Sequence, residues 1–350
     1  MPLERLGMSP LITLVIPNWN GSHLLEACLV SVSAQTFSDY QVVLVDNGSS
    51  DGSAEYVHED FPWVKILANT TNLGFAPAVN RAIRESQSPL IVTLNNDVWL
   101  EAEWLEEMVA AAGTGERVGM IASKILTVRA PDRLDSAGIS LDRAGFAWNL
   151  DRGRREDSTE TRTREVFGPC AAAALYRRDM LDEIGLFDED FFAFLEDADL
   201  AWRARLAGWR CLYAPAARSY HVHSATAGQG SGFKAYLLAR NRIWSIVKNY
   251  PWPEILSALP IMVAYDFVSL LGNIASGRGG PSLAGRLDAL RGIGGALRKR
   301  RQVQALRSSE SRWEAHLCSL SSPWRRWRTE RRLASARGVV GFKGASGAGF

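Results

Sequence analysis

ITLVIPNWNG, residues 12–21, is an aliphatic and β-branched run that stops at Pro17 and passes at once into Asn-Trp-Asn-Gly. A continuous apolar run of this length, without polar alternation, reads as a strand covered on both faces. The pattern recurs in QVVLVD (41–46), followed by NGSSDGS, and in LIVTL (90–94), followed by Asn95-Asn96-Asp97; VKIL (64–67) is a further short strand. Helical stretches lie between them: HLLEACLVSVSAQ (23–35), LGFAPAVNRAIRES (73–86) with Pro77 in its first turn, and EAEWLEEMVAAAG (101–113) ended by Gly113. Apolar strands separated by helices predict an α/β domain with a Rossmann-like, mostly parallel sheet and helices on both faces.

Farther along, residues 129–165 are polar and rich in Arg and Asp, and read as excursion loops or an edge hairpin. GPCAAAALY (168–176) reads as a strand and RDMLDEIG (178–185) as a helix. An aromatic acidic loop follows, LFDEDFFAFLED (186–197), then a helix, ADLAWRARLAG (198–208), and a strand, WRCLYAP (209–215). From Gly232 to about residue 305 the pattern is helical. These readings divide the chain into an α/β domain over 1–231, a helical basic extension over 232–335 and a disordered Gly-rich end over 336–350. Within the first unit, residues 10–127 and 166–231 form two halves.

The 350 residues carry a net charge of only +2, but residues 281–350 hold 15 Lys/Arg against 4 Asp/Glu. An acidic body with a basic tail points to contact with phosphates or an anionic membrane surface. The Arg clusters RKRR (298–301) and WRRWRTERR (324–332) fit no nucleic-acid motif, so no nucleic-acid partner is expected. Four dispersed cysteines without a CxxC pair read as reduced thiols. The N-terminal apolar stretch is too short for a signal peptide, so no secretion is expected. Residues 255–275 are apolar but interrupted by Pro260 and Asp266, which favours a buried or interfacial helix over a membrane span.

Ligands of open α/β sheets bind beyond the carboxyl ends of parallel strands. Asn20, Asp46 and Asp97 follow three such ends. Asp46 has the chemistry to accept from a pyrimidine N–H or a ribose hydroxyl. Asp97 suits a hard divalent cation, since Mg²⁺ uses one or two carboxylates plus substrate phosphates. Gly74, opening a helix after Asn72, permits close approach of an anion to backbone N–H groups. The segment holds no GxxxxGK[ST], and no GxGxxG follows the first strand. Glu196 and Asp197 begin a helix right after Phe191, Phe192 and Phe194. Asp197 reads either as an N-cap or as a carboxylate with a raised pKa that serves as a base. His221 and His223 alternate beyond the last strand, and one of them is a candidate metal ligand.

Together, VIPNWNG, VDNGSSDGS, NLGFAPAVN, LNND, FDEDFFAFLEDADLAWRARLAG and HVHSAT resemble the family 2 glycosyltransferases of GT-A fold, in their bacterial rhamnosyltransferase-like branch. The resemblance runs in order over residues 10–250. It implies that Pro17, Asn20 and Asp46 hold the nucleoside, and that Asn72, Gly74, Asn80 and Asn96 line the donor nucleotide site. It further implies that Asp97 and His221 hold Mg²⁺ or Mn²⁺, and that Asp197, beside Glu196, is the catalytic base. Asn95 replaces the first Asp of the family's DXD motif, which leaves one fewer anionic ligand. The implied activity is inverting transfer of rhamnose or a similar hexose from a dTDP- or UDP-sugar to a glycan or lipid-linked glycan of the cell surface. The reduced cysteines, the basic tail and the apolar 255–275 segment lead to the expectation of a cytoplasmic chain peripherally associated with the inner face of the plasma membrane. A sugar nucleotidyltransferase would share the sheet but needs a Gly-rich loop where NWNGSHLL stands. A non-catalytic glycan-binding protein would not need Asp46, Asp97 and Asp197 together.

Overall fold

The computed structural model describes residues 9–222, 231–309, 311 and 313–320. His223, the Arg-rich stretch 324–332 and the Gly-rich end 336–350 lie outside the described residues. The chain begins with β1 (Ile12–Asn18), α1 (Ser22–Ser33), β2 (Tyr40–Asp46), α2 (Ser53–Asp60), β3 (Lys65–Ala68), α3 (Phe75–Glu85) and β4 (Leu90–Leu94). It continues through β5 (Val98–Leu100), α4 (Trp104–Ala112), β6 (Val118–Thr127), β7 (Ala130–Ser136), β8 (Ile139–Asp142), β9 (Ala147–Asn149), β10 (Arg164–Val166) and β11 (Ala173–Arg177). Next come α5 (Arg178–Ile184), α6 (Glu196–Leu206) and β12 (Arg210–His221). Then four helices follow one another: α7 (Gly232–Asn249), α8 (Trp252–Ala275), α9 (Gly279–Arg291) and α10 (Ile293–Ala305).

The main sheet runs β10-β12-β6-β11-β4-β1-β2-β3, with β5 on β12 and β7 on β6. Its β4-β1-β2-β3 half is parallel, so the three Asn/Asp-rich strand ends lie side by side. The other half is mixed, because β11 runs antiparallel to both β4 and β6. Alternate residues of β1 serve opposite cores: Ile12, Leu14 and Ile16 pack with Leu25, Leu29 and Trp104, while Val15 packs with Val79 and Ile83. That two-sided burial is why the strand sequence shows no polar alternation.

Several boundaries differ from the sequence reading. β6 is buried at all ten positions, yet Gly119, Ser123 and Lys124 interrupt its apolar run and hide it from a pattern search. The strand expected over 168–176 begins at Ala173. Residues 169–172 turn beneath the cleft, where Pro169 has no N–H for a ladder. β12 runs past Pro215 to His221 because a register shift between Ala214 and Arg218 absorbs the proline. The polar 129–165 segment supplies β7 and the β8–β9 hairpin. Residues 255–275 belong to a single 24-residue helix, longer than the interrupted sequence implied.

Candidate active site

The carboxyl ends of β1, β2 and β4 open into a cavity of about 660 Å³. It is lined by Pro17, Asn18, Trp19, Asn47, Asn72 and Gly74 and, after β4, by Asn95, Asn96 and Asp97. The β8–β9 hairpin supplies Trp148 and Asn149, the aromatic loop Phe192 and Phe194, and α7 Phe233 and Leu238. Glu196, Asp197 and His221 complete the lining.

Eight of the eleven residues anticipated from sequence face this space: Pro17, Asn72, Gly74, Asn96, Asp97, Glu196, Asp197 and His221. The other three sit behind it. Asp46 is buried, accepting from Asn18 Nδ2 at 3.1 Å, Ser49 N at 3.0 Å and Ser49 Oγ at 2.6 Å. Its carboxylate is used in shaping the β1 and β2 loop ends, and Asn18 and Asn47 stand at the cavity in its place. Asn20, at φ 49°, accepts from Ser50 N at 2.8 Å. Asn80 ties α3 to the acidic loop: it donates to Phe187 O and Glu189 Oε1 and accepts from Phe187 N. Strand-end position predicted which residues gather, but backbone turns decide which side chains face in.

Gly74 precedes α3 with φ 92°, and a Cβ there would come 2.5 Å from Phe192 O. Phe75 N donates to that same carbonyl at 2.7 Å. The loop before α3 and the aromatic loop are therefore joined by backbone contact that only glycine permits. The aromatic loop itself is strained, with Phe192, Phe194 and Leu195 at φ 64°, 69° and 68°. Such conformations cost on the order of 1–3 kcal/mol each and persist where surroundings hold them. Asn241 of α7 does the holding: its Nδ2 lies 3.0, 2.9 and 2.8 Å from the carbonyls of Phe191, Ala193 and Phe194.

That loop delivers the two acids. α6 starts at Glu196, and Leu195 in the left-handed region precedes it without a side-chain cap. Asp197 therefore is not the N-cap. Its Oδ2 accepts from Ala171 N at 3.2 Å and its Oδ1 from Ala198 N at 2.7 Å. Burial pushes the Asp197 carboxyl above the usual carboxylate range, against the lowering effect of these backbone N–H groups. Glu196 is raised much further, first by burial and then by the neighbouring charge of Asp197. Its Oε2 has no hydrogen-bond partner among the described residues. Asp199 points away and is fully buried, bonded to Arg203, Lys248 and Asn249.

In the same cavity lining, His221 Nε2 lies 3.2 Å from Asp97 Oδ1. The ring's Nδ1 is 2.7 Å from Asp135 Oδ2. Asp135 in turn pairs with Arg152. Two donor atoms this close fit neighbouring positions around an octahedral Mg²⁺ or Mn²⁺, whose ligand distances are about 2.0–2.2 Å. No group of three or more metal-ligating side chains occurs among the described residues. The remaining ligands of a cation here would be waters and substrate phosphates, as is usual for Mg²⁺. Sequence reasoning missed Asn18, Asn47, Asp135 and Asn241. The first two sit beside positions that were read, whereas Asp135 and Asn241 have no local signal.

Residues 13–185 match the model of glycosyl transferase family 2. An N-acetylglucosaminyl-diphospho-decaprenol L-rhamnosyltransferase of Mycobacterium tuberculosis is 28% identical, over 63% of this chain and 79% of that protein. Among solved structures, the mannosyltransferase PcManGT from Pyrobaculum calidifontis, in complex with GDP-Man and Mn²⁺, is similar over 86% of both chains, at TM-score 0.52 and 17% identity. GalNAc-T7 with UDP, GalNAc and Mn²⁺ reaches TM-score 0.56 at 17% identity, over 69% of this chain and 48% of that one.

Proposed function

This chain is a family 2 glycosyltransferase with a GT-A-like fold, and on that premise we propose that it transfers a sugar, with inversion, from a nucleoside-diphosphate donor to a hydroxyl of a glycan or lipid-linked glycan. The observation that carries this reading is one cavity lined both by a buried acid pair, Glu196 and Asp197, and by the Asp97–His221 pair. Asp197 is the base. Its raised pKa fits a carboxylate that accepts the acceptor hydroxyl's proton as the oxygen attacks the anomeric carbon. Attack opposite the leaving diphosphate, in one displacement, inverts the configuration. Glu196, whose carboxyl burial and the neighbouring Asp197 charge shift toward the protonated form, would offer an O–H that helps to position the acceptor. Asp97 and His221 would hold Mg²⁺ or Mn²⁺, which supplies Lewis-acid stabilisation of the diphosphate leaving group. Pro17, Trp19, Asn47, Asn72, Gly74 and Asn96 enclose the nucleotide, with Asn20, Asp46 and Asn80 behind them holding the loops.

The rhamnosyltransferase relative supports dTDP-rhamnose as the donor and a lipid diphosphate-linked acceptor. A panel of dTDP-, UDP- and GDP-sugars with Mn²⁺, followed by thermal shift and ligand-observed NMR, tests this. A donor at 100 times its Kd stabilises the fold by about 2.7 kcal/mol. Stabilisation by dTDP-rhamnose above the rest supports the reading, and equal silence from every nucleotide sugar contradicts it.

A membrane-borne acceptor needs an enzyme that works at the membrane surface, on its inner face. α8 supports such a position. Trp252, Leu256, Leu259, Val263, Phe267, Leu271 and Ile274 recur at helical spacing and are all exposed. Leu283, Leu287 and Leu290 of α9 are exposed as well. Length and composition alone would let α8 span a bilayer. Yet Asp266 accepts from Arg242 of α7 at 2.6 Å and from Arg286 of α9 at 2.8 Å. These ion pairs hold α8 on the body, so its apolar face lies in the interface. The 15 basic against 4 acidic residues after position 280 favour anionic lipid over a second, equally basic copy of the chain.

A further inference from the structure

The Asp97–His221 pair does not stand alone, and the residue behind it comes from a segment with no obvious place in sugar transfer. Asp135 lies on β7 and is 1% exposed. One of its oxygens meets His221 Nδ1 at 2.7 Å, and the other is paired with Arg152, just beyond β9. The backbone of His221 is fixed independently: it pairs with Val98 of β5 and Thr127 of β6, and its carbonyl accepts from Val128 N at 3.1 Å. What the backbone leaves undecided is the ring, meaning its rotation and which nitrogen carries the proton.

We propose that Asp135, charge-balanced by Arg152, is a positioning residue that sets the tautomer of His221 and thereby keeps Nε2 ready for a divalent cation. The proposal rests on the reading of Asp97 and His221 as the metal pair. A carboxylate at 2.7 Å accepts, so the Nδ1 proton sits on the Asp135 side. In the neutral ring Nε2 then presents a lone pair toward Asp97 Oδ1, and two acceptors 3.2 Å apart repel unless a cation lies between them. Without Asp135 the ring is free to carry its proton on Nε2 and donate it to Asp97. That bond consumes both ligands at once and closes the site. Outer carboxylates that orient ligating histidines are typically worth about 10–100-fold in metal affinity. Arg152 contributes differently. It offsets the charge of a second carboxylate buried near Asp97, which is costly to bury without a partner.

Two measurements on the full chain test this. In the metal-free protein, ¹⁵N NMR of labelled histidines, with His221→Gln assigning the signal, reports the tautomer directly. The wild type should carry the proton on Nδ1, and Asp135→Ala should shift it toward Nε2. Mn²⁺ titration followed by the free-ion EPR signal, with dTDP present, should show affinity about 10–100-fold weaker for Asp135→Ala. Asp135→Asn, whose amide oxygen still accepts weakly from Nδ1, should fall between. If Asp135→Ala does not fold, the Asn variant decides. A wild-type Nε2–H tautomer, or a folded Asp135 variant with wild-type Mn²⁺ affinity, overturns the proposal while leaving the metal pair intact. No Mn²⁺ binding by the wild type overturns the metal reading and this proposal with it.

Discussion

Glu196, Asp197 and Asp199 lie within four residues, and burial gives each a different fate. Asp199 is saturated by Arg203, Lys248 and Asn249 in the protein interior. Removing one partner of such a buried cluster costs about 3–5 kcal/mol, so Asp199→Ala should unfold at distinctly lower urea concentration than wild type. Glu196 behaves in the opposite way. Its folded pKa is raised, so its neutral form suits the native state and stability falls as pH rises through the interval between the unfolded and folded values. Glu196→Gln keeps the shape and abolishes that loss. Melting curves should show the variant at least as stable as wild type at pH 8 and no better at pH 4; a variant less stable at both would mean that Glu196 is charged and paired. For Asp197, a raised pKa places the acid limb of the kcat/KM profile at higher pH than a free aspartate would, with activity lost as pH falls through it. The sequence singled out Glu196 and Asp197 but held no sign that Asp199 would be turned into the interior. Which of them face the cavity depends on the left-handed turn at Phe194–Leu195, and an aromatic and an aliphatic residue with positive φ are not readable from their identities.

At the scale of elements, the strands with uniform cores were legible and those with mixed composition were not. β1, β2 and β4 declare themselves because both faces are covered by helices. β6 is equally buried, but Gly119, Ser123 and Lys124 serve close packing and polar contacts that only the neighbours explain: Ser123 Oγ donates to Ala173 O at 2.7 Å, and Lys124 reaches Glu156 at 3.2 Å. The aromatic loop depends on α7 in the same non-local way. Asn241→Ala would take the donor from the carbonyls of Ala193 and Phe194, while Phe191 O keeps Arg240 and Ala193 N. It should cost about 1–3 kcal/mol and expose residues 191–195 to thermolysin. A variant with wild-type stability and protease resistance would show that the loop holds its shape unaided.

Across the whole molecule, the sequence marked an acidic body and a basic C-terminal region but could not say how an interrupted apolar segment would sit. The interruption, Asp266, is what binds α8 to α7 and α9 and turns the apolar residues of α8 outward. Flotation with anionic liposomes should carry the protein, with binding reduced by salt and by Leu256→Glu combined with Phe267→Glu. Dimerisation through this face, abolished by the same substitutions, would instead assign it to a second copy. On the proposed reading, a face of α8 held at the membrane and the cavity above the sheet serve one end, which is to align donor and acceptor for base-assisted transfer by Asp197. The sharpest test is single-turnover sugar transfer with saturating donor, comparing wild type with Asp197→Asn. Donor affinity and melting temperature should stay unchanged while kcat falls by about 10²–10⁴-fold, since the amide cannot accept the proton. Wild-type turnover by Asp197→Asn, or loss of activity only through loss of fold, would contradict the assignment of Asp197 as the base.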